Sequence, residues 1–186
     1  METKSSIENN IRLKIMKRKR LVDSNKTWDV VDKELVEYNN RQYKSMYRST
    51  NFVISCLKEL GLHKHQYNIL DVGCGGGGNL SHIASCFKNC SFTGIVINSH
   101  FIDMAKNKHQ ELKLNNTRFE KKDFTKISEQ TYEIVGSSQF LEVLDMAKAE
   151  SFKQACFQSA TKGVYFQALF TERLLDYEIN IHDHIY

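Results

Sequence analysis

The feature that most constrains this chain is a run of four glycines, residues 75–78, just after a short apolar segment, residues 67–72. An apolar segment of this length is typical of a buried strand, and the glycines after it predict a tight turn leading into a helix. Glycine allows positive φ and close approach of the backbone to a ligand, and the next helix offers free N–H groups. Gly73, Gly75 and Gly78 also fit the GxGxxG spacing of dinucleotide-binding turns, so the glycines alone leave the ligand open.

Strand-like and helix-like segments alternate along the rest of the chain. After the first strand, four more are predicted at residues 91–97, 117–122, 132–135 and 163–170. A helix is predicted at residues 79–88, and a second one begins after Asn98 or Ser99, either of which can act as its N-cap. A third helix is predicted where Phe152, Ala155, Cys156 and Ala160 share one apolar face. This alternation predicts an α/β fold with a parallel sheet covered on both faces, whose ligands bind at the carboxyl ends of the strands.

Residues 28–62, upstream of the first strand, follow a helical pattern. Val53, Cys56, Leu57 and Leu60 are spaced to share one buried face, and Gly61 is placed to end the helix.

Positive charge is concentrated at the N-terminus. Residues 1–26 contain eight of the 26 basic side chains and three of the 22 acidic ones, so the remainder is nearly neutral although the whole chain carries +4. We interpret residues 1–26 as a basic arm and residues 27–186 as one domain. The basic run at residues 17–20 could contact RNA or an anionic membrane surface, and a solvated arm is the simpler interpretation.

The composition argues against several classes of protein. No apolar stretch reaches the roughly 20 residues of a membrane-spanning helix, and the polar first ten residues do not resemble a signal peptide. Five cysteines without a framework spacing argue against a disulfide-rich secreted domain. We therefore expect a cytoplasmic protein without a membrane span.

The residues around the glycines identify the turn more closely. Residues 69–77, Ile-Leu-Asp-Val-Gly-Cys-Gly-Gly-Gly, resemble motif I of class I S-adenosylmethionine-dependent methyltransferases, with Asp71 two positions before the first glycine. In a nicotinamide-binding turn the strand normally stays apolar up to that glycine. The resemblance implies S-adenosylmethionine as the cofactor and a Rossmann-like, doubly wound sheet of about five strands in the order 3-2-1-4-5. It also implies that the cofactor is bound by Asp71, Gly73, Cys74, Gly75 and Gly77.

The resemblance covers about residues 45–170 and implies further cofactor contacts. The family's second strand usually ends in an acidic residue that accepts hydrogen bonds from both ribose hydroxyls. This chain has Val96 at that position, and valine cannot accept a hydrogen bond. Asn98 could accept one through its side-chain amide. In the third-strand motif, the aspartate that accepts the adenine amino group falls on Asp123, followed by Phe124. The end of the fourth strand borders the methionine moiety and the substrate, and this position corresponds to Ser137, Ser138 and Gln139.

Residues 38–50, rich in tyrosine and arginine, look like the N-terminal helical lid of small-molecule methyltransferases, including those of bacterial surface-polysaccharide synthesis. Tyr43 and Tyr47 share a helix face and could close over the cofactor or pack the helix on the sheet. With a lid at 27–62 and a cofactor-binding core at 66–170, we predict methyl transfer to a small molecule or sugar. No catalytic base is identified.

The family's sheet normally has seven strands, but only 16 residues follow Phe170. Strands six and seven are therefore predicted to be absent, leaving strand five as an edge that residues 171–186, a second copy or a partner chain would cover. This departure and Val96 support an alternative to the leading prediction of methyl transfer, namely a shortened, non-catalytic partner subunit. A nicotinamide-dependent oxidoreductase is disfavoured by Asp71, and an RNA methyltransferase recruited by the basic arm stays open, although nucleic acid is not the expected partner.

No metal site is predicted. His63 with His65 and His182 with His184 form pairs without a third ligand at a defined spacing. Cys74 lies inside the turn, where a small residue fits.

Overall fold

Five strands alternate with helices in a computed structural model that describes residues 33–46, 48–141, 144 and 146–167. The strands are β1 (Asn68–Val72), β2 (Ser91–Val96), β3 (Thr117–Lys121), β4 (Tyr132–Ser138) and β5 (Ala160–Gln167). The helices are α1 (Lys33–Lys44), α2 (Arg48–Glu59), α3 (Gly78–Cys86), α4 (Ser99–Glu111) and α5 (Met146–Ser159), with 3-10 helices at Leu62–Lys64 and Phe124–Glu129. The predicted basic arm and the tail at 171–186 lie outside the described residues.

The sheet has the order β3-β2-β1-β4-β5, and each adjacent pair of these strands is parallel. Asp71 on β1 pairs with Gly94 on β2 and with Gly136 on β4. The chain runs outward from β1 to β3 and then in the opposite direction from β4 to β5, so the order reverses between β1 and β4. A crevice at this reversal is where such sheets bind ligands. The predicted fold class and strand order are confirmed.

Neighbouring residues of the strands contribute to two core clusters, one on each face of the sheet. Ile69 packs with Leu57 of α2 and Ile83 of α3. Leu70 packs with Phe152 and Cys156 of α5. Because the strands are parallel and apolar side chains cover both faces of the sheet, the loops after the strands lie along one edge. Among the described residues, no helix is long and apolar enough to cross a membrane.

The end of α2 corrects one prediction. The helix stops at Glu59, so Leu60, which was predicted on the buried face with Val53 and Leu57, is 72% exposed. Gly61 follows with φ 77, the left-handed conformation expected just past a helix end.

The junction of α5 and β5 corrects another. Ala160, predicted on the helix, begins the strand instead, three residues before the predicted start at Gly163. The helix ends at Ser159, whose hydroxyl donates to the Ala155 carbonyl at 2.8 Å, and Ala160 pairs with Tyr132. Pairing with β5 also extends β4 to Ser138, beyond the predicted end at residue 135. In the described sheet, β5 is an edge strand, as predicted.

Candidate functional site

The glycine-rich loop joins β1 to α3 where the strand order reverses. The N–H groups of Gly73 and Cys74 both donate to the Ile95 carbonyl on β2, at 2.9 and 3.1 Å. Gly73 has φ 74, and a Cβ at this residue would lie 2.4 Å from Cγ of Phe140. A left-handed conformation costs an L-residue about 1–2 kcal/mol, and the ring leaves no room for a methyl group. Glycine is therefore required at this position by both conformation and packing.

Helix α1 holds the middle of the loop through both backbone groups of Gly76. Asn39 Oδ1 accepts a hydrogen bond from the Gly76 N–H at 2.6 Å, and the Tyr43 hydroxyl donates to the Gly76 carbonyl. The Asn39 side chain is oriented by its Nδ2, which donates to the Leu35 carbonyl at 2.8 Å. An unpaired buried N–H costs about 1–3 kcal/mol, so Asn39 contributes directly to the conformation of the loop. Burial raises the pKa of Tyr43, which keeps its hydroxyl a donor.

The last two glycines of the run are in close contact with side chains of the protein. A Cβ at Gly77 would lie 2.8 Å from the Tyr43 hydroxyl and 3.0 Å from Nε2 of His109. A Cβ at Gly78 would lie 2.4 Å from Cβ of Gln42. Internal packing against α1 and α4 therefore requires small residues here, independently of any bound ligand.

His109 of α4 connects the loop to β3 and was not predicted as a site residue. Its Nε2 lies 3.0 Å from the Gly77 carbonyl oxygen, and its Nδ1 lies 3.0 Å from Oγ1 of Thr117. Burial lowers the pKa of His109, which favours the neutral ring with a proton on Nε2. The sequence signal was present: His109 stands four residues after Ala105, on the buried face of α4.

Helix α1 also reaches the end of β4. The Tyr38 hydroxyl donates to Oε1 of Gln139 at 2.7 Å. Gln139 has φ 60, an uncommon conformation for a residue with a side chain, and its N–H donates to the Gln167 carbonyl at 2.7 Å. Strained residues of this kind concentrate at functional sites. Of the two tyrosines predicted to close over the cofactor or pack the helix, Tyr43 contacts the glycine-rich loop from α1. Tyr47 lies outside the described residues.

Asp71 is a buried carboxyl group at the end of β1, with 3% of its surface exposed. Burial raises its pKa to about 7, because a charged carboxylate loses its hydration in the interior. The neighbouring Cys74 thiol is also buried, and burial together with Asp71 raises its pKa well above the usual range. Cys74 is therefore a neutral small residue at neutral pH, consistent with its predicted position in the turn.

Val96 and Asn98 lie at the end of β2. Val96 is partly buried against the core, and its carbonyl accepts a hydrogen bond from Lys122 N–H at 3.2 Å. Asn98 is the N-cap of α4, as predicted, and its Oδ1 accepts from the His100 N–H at 2.9 Å. The Asn98 oxygen that could accept a ribose hydroxyl in place of the family's acidic residue is therefore already hydrogen-bonded to the start of α4. The ribose contacts of both residues remain predictions.

Asp123 and Phe124 follow β3. Asp123 is exposed and caps the next 3-10 helix, since its Oδ1 accepts from the Thr125 N–H at 2.8 Å. The Phe124 ring packs edge-on against Phe140 and Phe152, with centroids 6.0 and 5.4 Å away. Phe140, which was not predicted, thus connects the end of β3 with Gly73. The adenine contact of Asp123 stays a prediction.

Of the three residues predicted at the end of β4, Ser137 is the most buried, with 1% exposed, and its hydroxyl has no hydrogen-bond partner among the described residues. Ser138 pairs with Gln167 on β5. The described residues contain no group of three or more His, Cys, Asp or Glu side chains that could hold a metal ion.

Comparison with known proteins places this arrangement in a family. The sequence profile of a family described as a methyltransferase domain matches residues 63–173. No curated protein matches the chain in sequence.

Solved structures of similar fold include several methyltransferases. An O-methyltransferase family protein from Burkholderia thailandensis is 12% identical with a TM-score of 0.67, over 97% of this chain and 59% of that one. Magnesium protoporphyrin IX methyltransferase from Synechocystis PCC 6803, with bound S-adenosylhomocysteine, is 16% identical with a TM-score of 0.61, over 92% and 74%. Coclaurine N-methyltransferase, bound to N-methylheliamine and S-adenosylhomocysteine, is 15% identical with a TM-score of 0.55, over 85% and 57%.

The chain thus spans between about half and three quarters of the length of these structures. At such identities the likeness concerns the fold, and the family follows from the profile match, which covers more than half of the chain. The chain belongs to the methyltransferase domain family and has the Rossmann-like fold of class I S-adenosylmethionine-dependent methyltransferases.

Proposed function

We propose that this protein transfers a methyl group from S-adenosylmethionine to a small molecule or sugar. The observation that carries the proposal is the loop of residues 73–77, which follows the buried Asp71 and lies where the strand order reverses. The bound S-adenosylhomocysteine in two proteins of similar fold supports the same cofactor. Neither the fold nor the family match favours the non-catalytic alternative.

The residues at this edge fit the cofactor in most respects. Phe124 and Phe140 offer an aromatic surface for adenine beside Asp123. The unpartnered Ser137 hydroxyl offers a polar contact near the end of β4. The ribose is the exception, because the Val96 side chain has no hydrogen-bond acceptor and the Asn98 side-chain oxygen caps α4.

When bound, S-adenosylmethionine supplies a methyl group activated by a positively charged sulfur, which leaves as the neutral thioether. The protein then has two tasks, to align the acceptor with the methyl carbon and to exclude water. The hydrogen bonds from α1 to Gly76 and Gln139 suit these tasks, because they fix the loop after β1 and the end of β4 relative to one helix.

Calorimetric titration with S-adenosylhomocysteine and with NAD tests the proposal. We expect S-adenosylhomocysteine to bind and to raise the free energy of unfolding by about 2.7 kcal/mol at a hundredfold excess over Kd. NAD should do neither. Binding of NAD without binding of S-adenosylhomocysteine would overturn the proposal in favour of an oxidoreductase.

The variant Val96→Asp tests the ribose position. If Val96 lies beside the ribose, the new carboxylate should tighten S-adenosylhomocysteine binding by about 1.5–3 kcal/mol, the range for hydrogen bonds to charged groups. If Val96 is only a core residue, the buried carboxylate should lower the melting temperature with no gain in affinity. Val53→Asp on α2, buried in the same core cluster, gives the pattern expected for a purely structural site.

A further inference from the structure

Asp71 lies in a row of paired residues in which both of its neighbours are glycines. In the parallel register it stands beside Gly94 on β2 and Gly136 on β4, and Gly136 stands in turn beside Tyr165 on β5. Side chains at one level of adjacent strands point to the same face of a sheet, which here is the face covered by α2 and α3. Because the two glycines have no Cβ, side chains from farther away can approach the Asp71 carboxyl group.

A thiol and a phenol occupy the space above these two glycines. A Cβ at Gly94 would lie 2.9 Å from Sγ of Cys74, and a Cβ at Gly136 would overlap Cζ and Oη of Tyr165. The Tyr165 ring therefore lies across β4 with its hydroxyl end over Gly136. Adjacent strands are about 4.8 Å apart, so this hydroxyl lies one strand spacing from the backbone of Asp71.

The Tyr165 hydroxyl is enclosed and has no hydrogen-bond partner among the described residues. The same holds for two other side-chain oxygens of β4 and β5, Ser137 Oγ and Gln167 Oε1. The Cys74 thiol, in contrast, donates to the Gly75 carbonyl at 3.5 Å. Enclosed hydroxyls without a partner are rare in proteins. Of the two groups beside Asp71, Tyr165 is thus the one whose proton is not used in a hydrogen bond.

The surroundings of Asp71 supply donors without positive charge. Among the described residues of α2 and α3, none of the buried side chains is an acid or a base. Tyr43 of α1 and His109 of α4 bond carbonyls of the glycine run instead. Burial and the nearby Asp71 raise the pKa of Tyr165, which keeps its phenol protonated and able to donate. An ionised Asp71 therefore depends on a neutral donor for its stabilisation.

Building on the methyl-transfer function proposed above, we propose that Tyr165 is a positioning residue of the cofactor site, whose hydroxyl donates a hydrogen bond to the Asp71 carboxylate. The hydrogen bond stabilises the ionised form of Asp71, which is the form that attracts a positively charged cofactor. The proton leaves Asp71 for solvent, and Tyr165 keeps its own. Gly136 is required in this arrangement because any larger residue would displace the phenol from Asp71.

The first test follows the titration of Asp71 in the protein without cofactor, by 13C NMR of labelled aspartate carboxyl groups. The Asp71 signal is assigned by its loss in Asp71→Asn. Tyr165→Phe keeps the ring over Gly136 but removes the donor, so the midpoint of the Asp71 titration should rise by about one pH unit. Tyr132→Phe on β4 is the control, because the Tyr132 hydroxyl donates to Oε1 of Gln130.

The control variant should keep the wild-type midpoint. An unchanged or lowered midpoint in Tyr165→Phe would overturn the proposal, because a residue that only fills space does not alter the titration of its neighbour.

The second test measures the Kd of S-adenosylmethionine by calorimetry without an acceptor. If the midpoint moves from about 7 to about 8, the ionised fraction of Asp71 at pH 7 falls from about one half to about one tenth. Tyr165→Phe should therefore bind about fivefold more weakly at pH 7 and nearly as well as the wild type at pH 9, whereas Tyr132→Phe should stay within about twofold at both.

Equal affinity of Tyr165→Phe and wild type at pH 7 would overturn the role of Tyr165 in cofactor binding. Failure of S-adenosylmethionine to bind the wild-type protein would instead refute the proposed function, and the NMR titration distinguishes the two failures because it requires no cofactor.

Discussion

The loop after β1 and the ends of β4 and β5 lie at the same edge of the sheet, but they differ in hydrogen bonding: polar groups of the loop are paired, whereas several at the ends of β4 and β5 are not. In the loop, Asn39, Tyr43 and His109 bond the backbone of Gly76 and Gly77. On β4 and β5, three buried oxygens have no partner among the described residues. The hydrogen bonds in the loop stabilise the folded protein, whereas each unpaired buried oxygen on β4 and β5 lowers its stability. The difference distinguishes a loop whose polar groups are held by contacts within the protein from strand ends at which three buried oxygens stay unpaired.

The largest effect is expected at Asp71, which lies between the two regions. Its pKa of about 7, against 3.8 as an ordinary value, means that the folded state holds a proton that the unfolded state has lost between about pH 4 and pH 7. Stability should therefore fall as pH rises through that window and stay low above it, by up to about 4 kcal/mol in all. Urea unfolding of wild type and Asp71→Asn from pH 4 to pH 8 measures this. The difference in the free energy of unfolding between the two proteins should grow with pH. The control Asp103→Asn, which changes an exposed carboxylate of α4, should follow the wild type. If Asp71→Asn and wild type differ by the same amount at every pH, the raised pKa of Asp71 is contradicted.

Gly73→Ala tests whether the loop is built as tightly as its contacts indicate. The new methyl group would meet both a left-handed backbone and the Phe140 ring, so we expect a loss of about 2–4 kcal/mol in the free energy of unfolding. The control is Gly163→Ala on β5, where a Cβ meets nothing within 4 Å and φ is not positive. Equal stability of the two variants in urea would show that the loop is adaptable.

Asn39→Ala asks how much the loop depends on α1. Loss of Oδ1 leaves the buried Gly76 N–H unpaired, which should cost about 1–3 kcal/mol in unfolding and weaken S-adenosylhomocysteine binding measured by calorimetry. Asn40→Ala on the same helix is the control. If Asn39→Ala instead tightens binding, the Asn39 oxygen competes with the ligand, and the loop is not organised in advance.

The smallest effect is expected from Tyr38→Phe, which removes the hydrogen bond between α1 and the end of β4. A part-buried hydrogen bond of this kind is worth about 0.5–1.5 kcal/mol net. Thermal unfolding should detect the loss, and Tyr67→Phe, which changes a phenol outside the site, should show none. No difference between the two variants would mean that the Tyr38–Gln139 hydrogen bond adds nothing to the stability of the fold.

The sequence predicted the features that depend on short-range patterns. Strand and helix alternation was enough for the sheet order once the family was recognised, and the position of Asn98 before a helix was enough for its cap. Asp71 was identifiable because motif I places an acid at a fixed distance from glycine. Ala160 was assigned to the helix because its spacing fits one, while pairing with Tyr132 on β4 decides its conformation.

The contacts missed were long-range ones. Asn39 lies 37 residues from Gly76, and Tyr38 lies 101 residues from Gln139, so no local pattern connects these pairs. The left-handed conformation of Gln139 carries no residue signal, because glutamine is not a residue that favours it. Phe140 looked like an ordinary apolar residue until its ring was found against Gly73.

The attachment of α1 to the loop bears on where this domain should be cut. The family match begins at residue 63, after the described helices α1 and α2, and a fragment trimmed to it would retain every described strand. Such a fragment would lack Asn39 and Tyr43 and would expose the glycine run to solvent. It would also lose Leu57 of α2 from the core cluster that contains Ile69, so we expect it to be a poor scaffold for the sheet as well as for measuring cofactor affinity. We therefore expect the cofactor-binding unit to start at least as early as α1, some thirty residues before the family match begins.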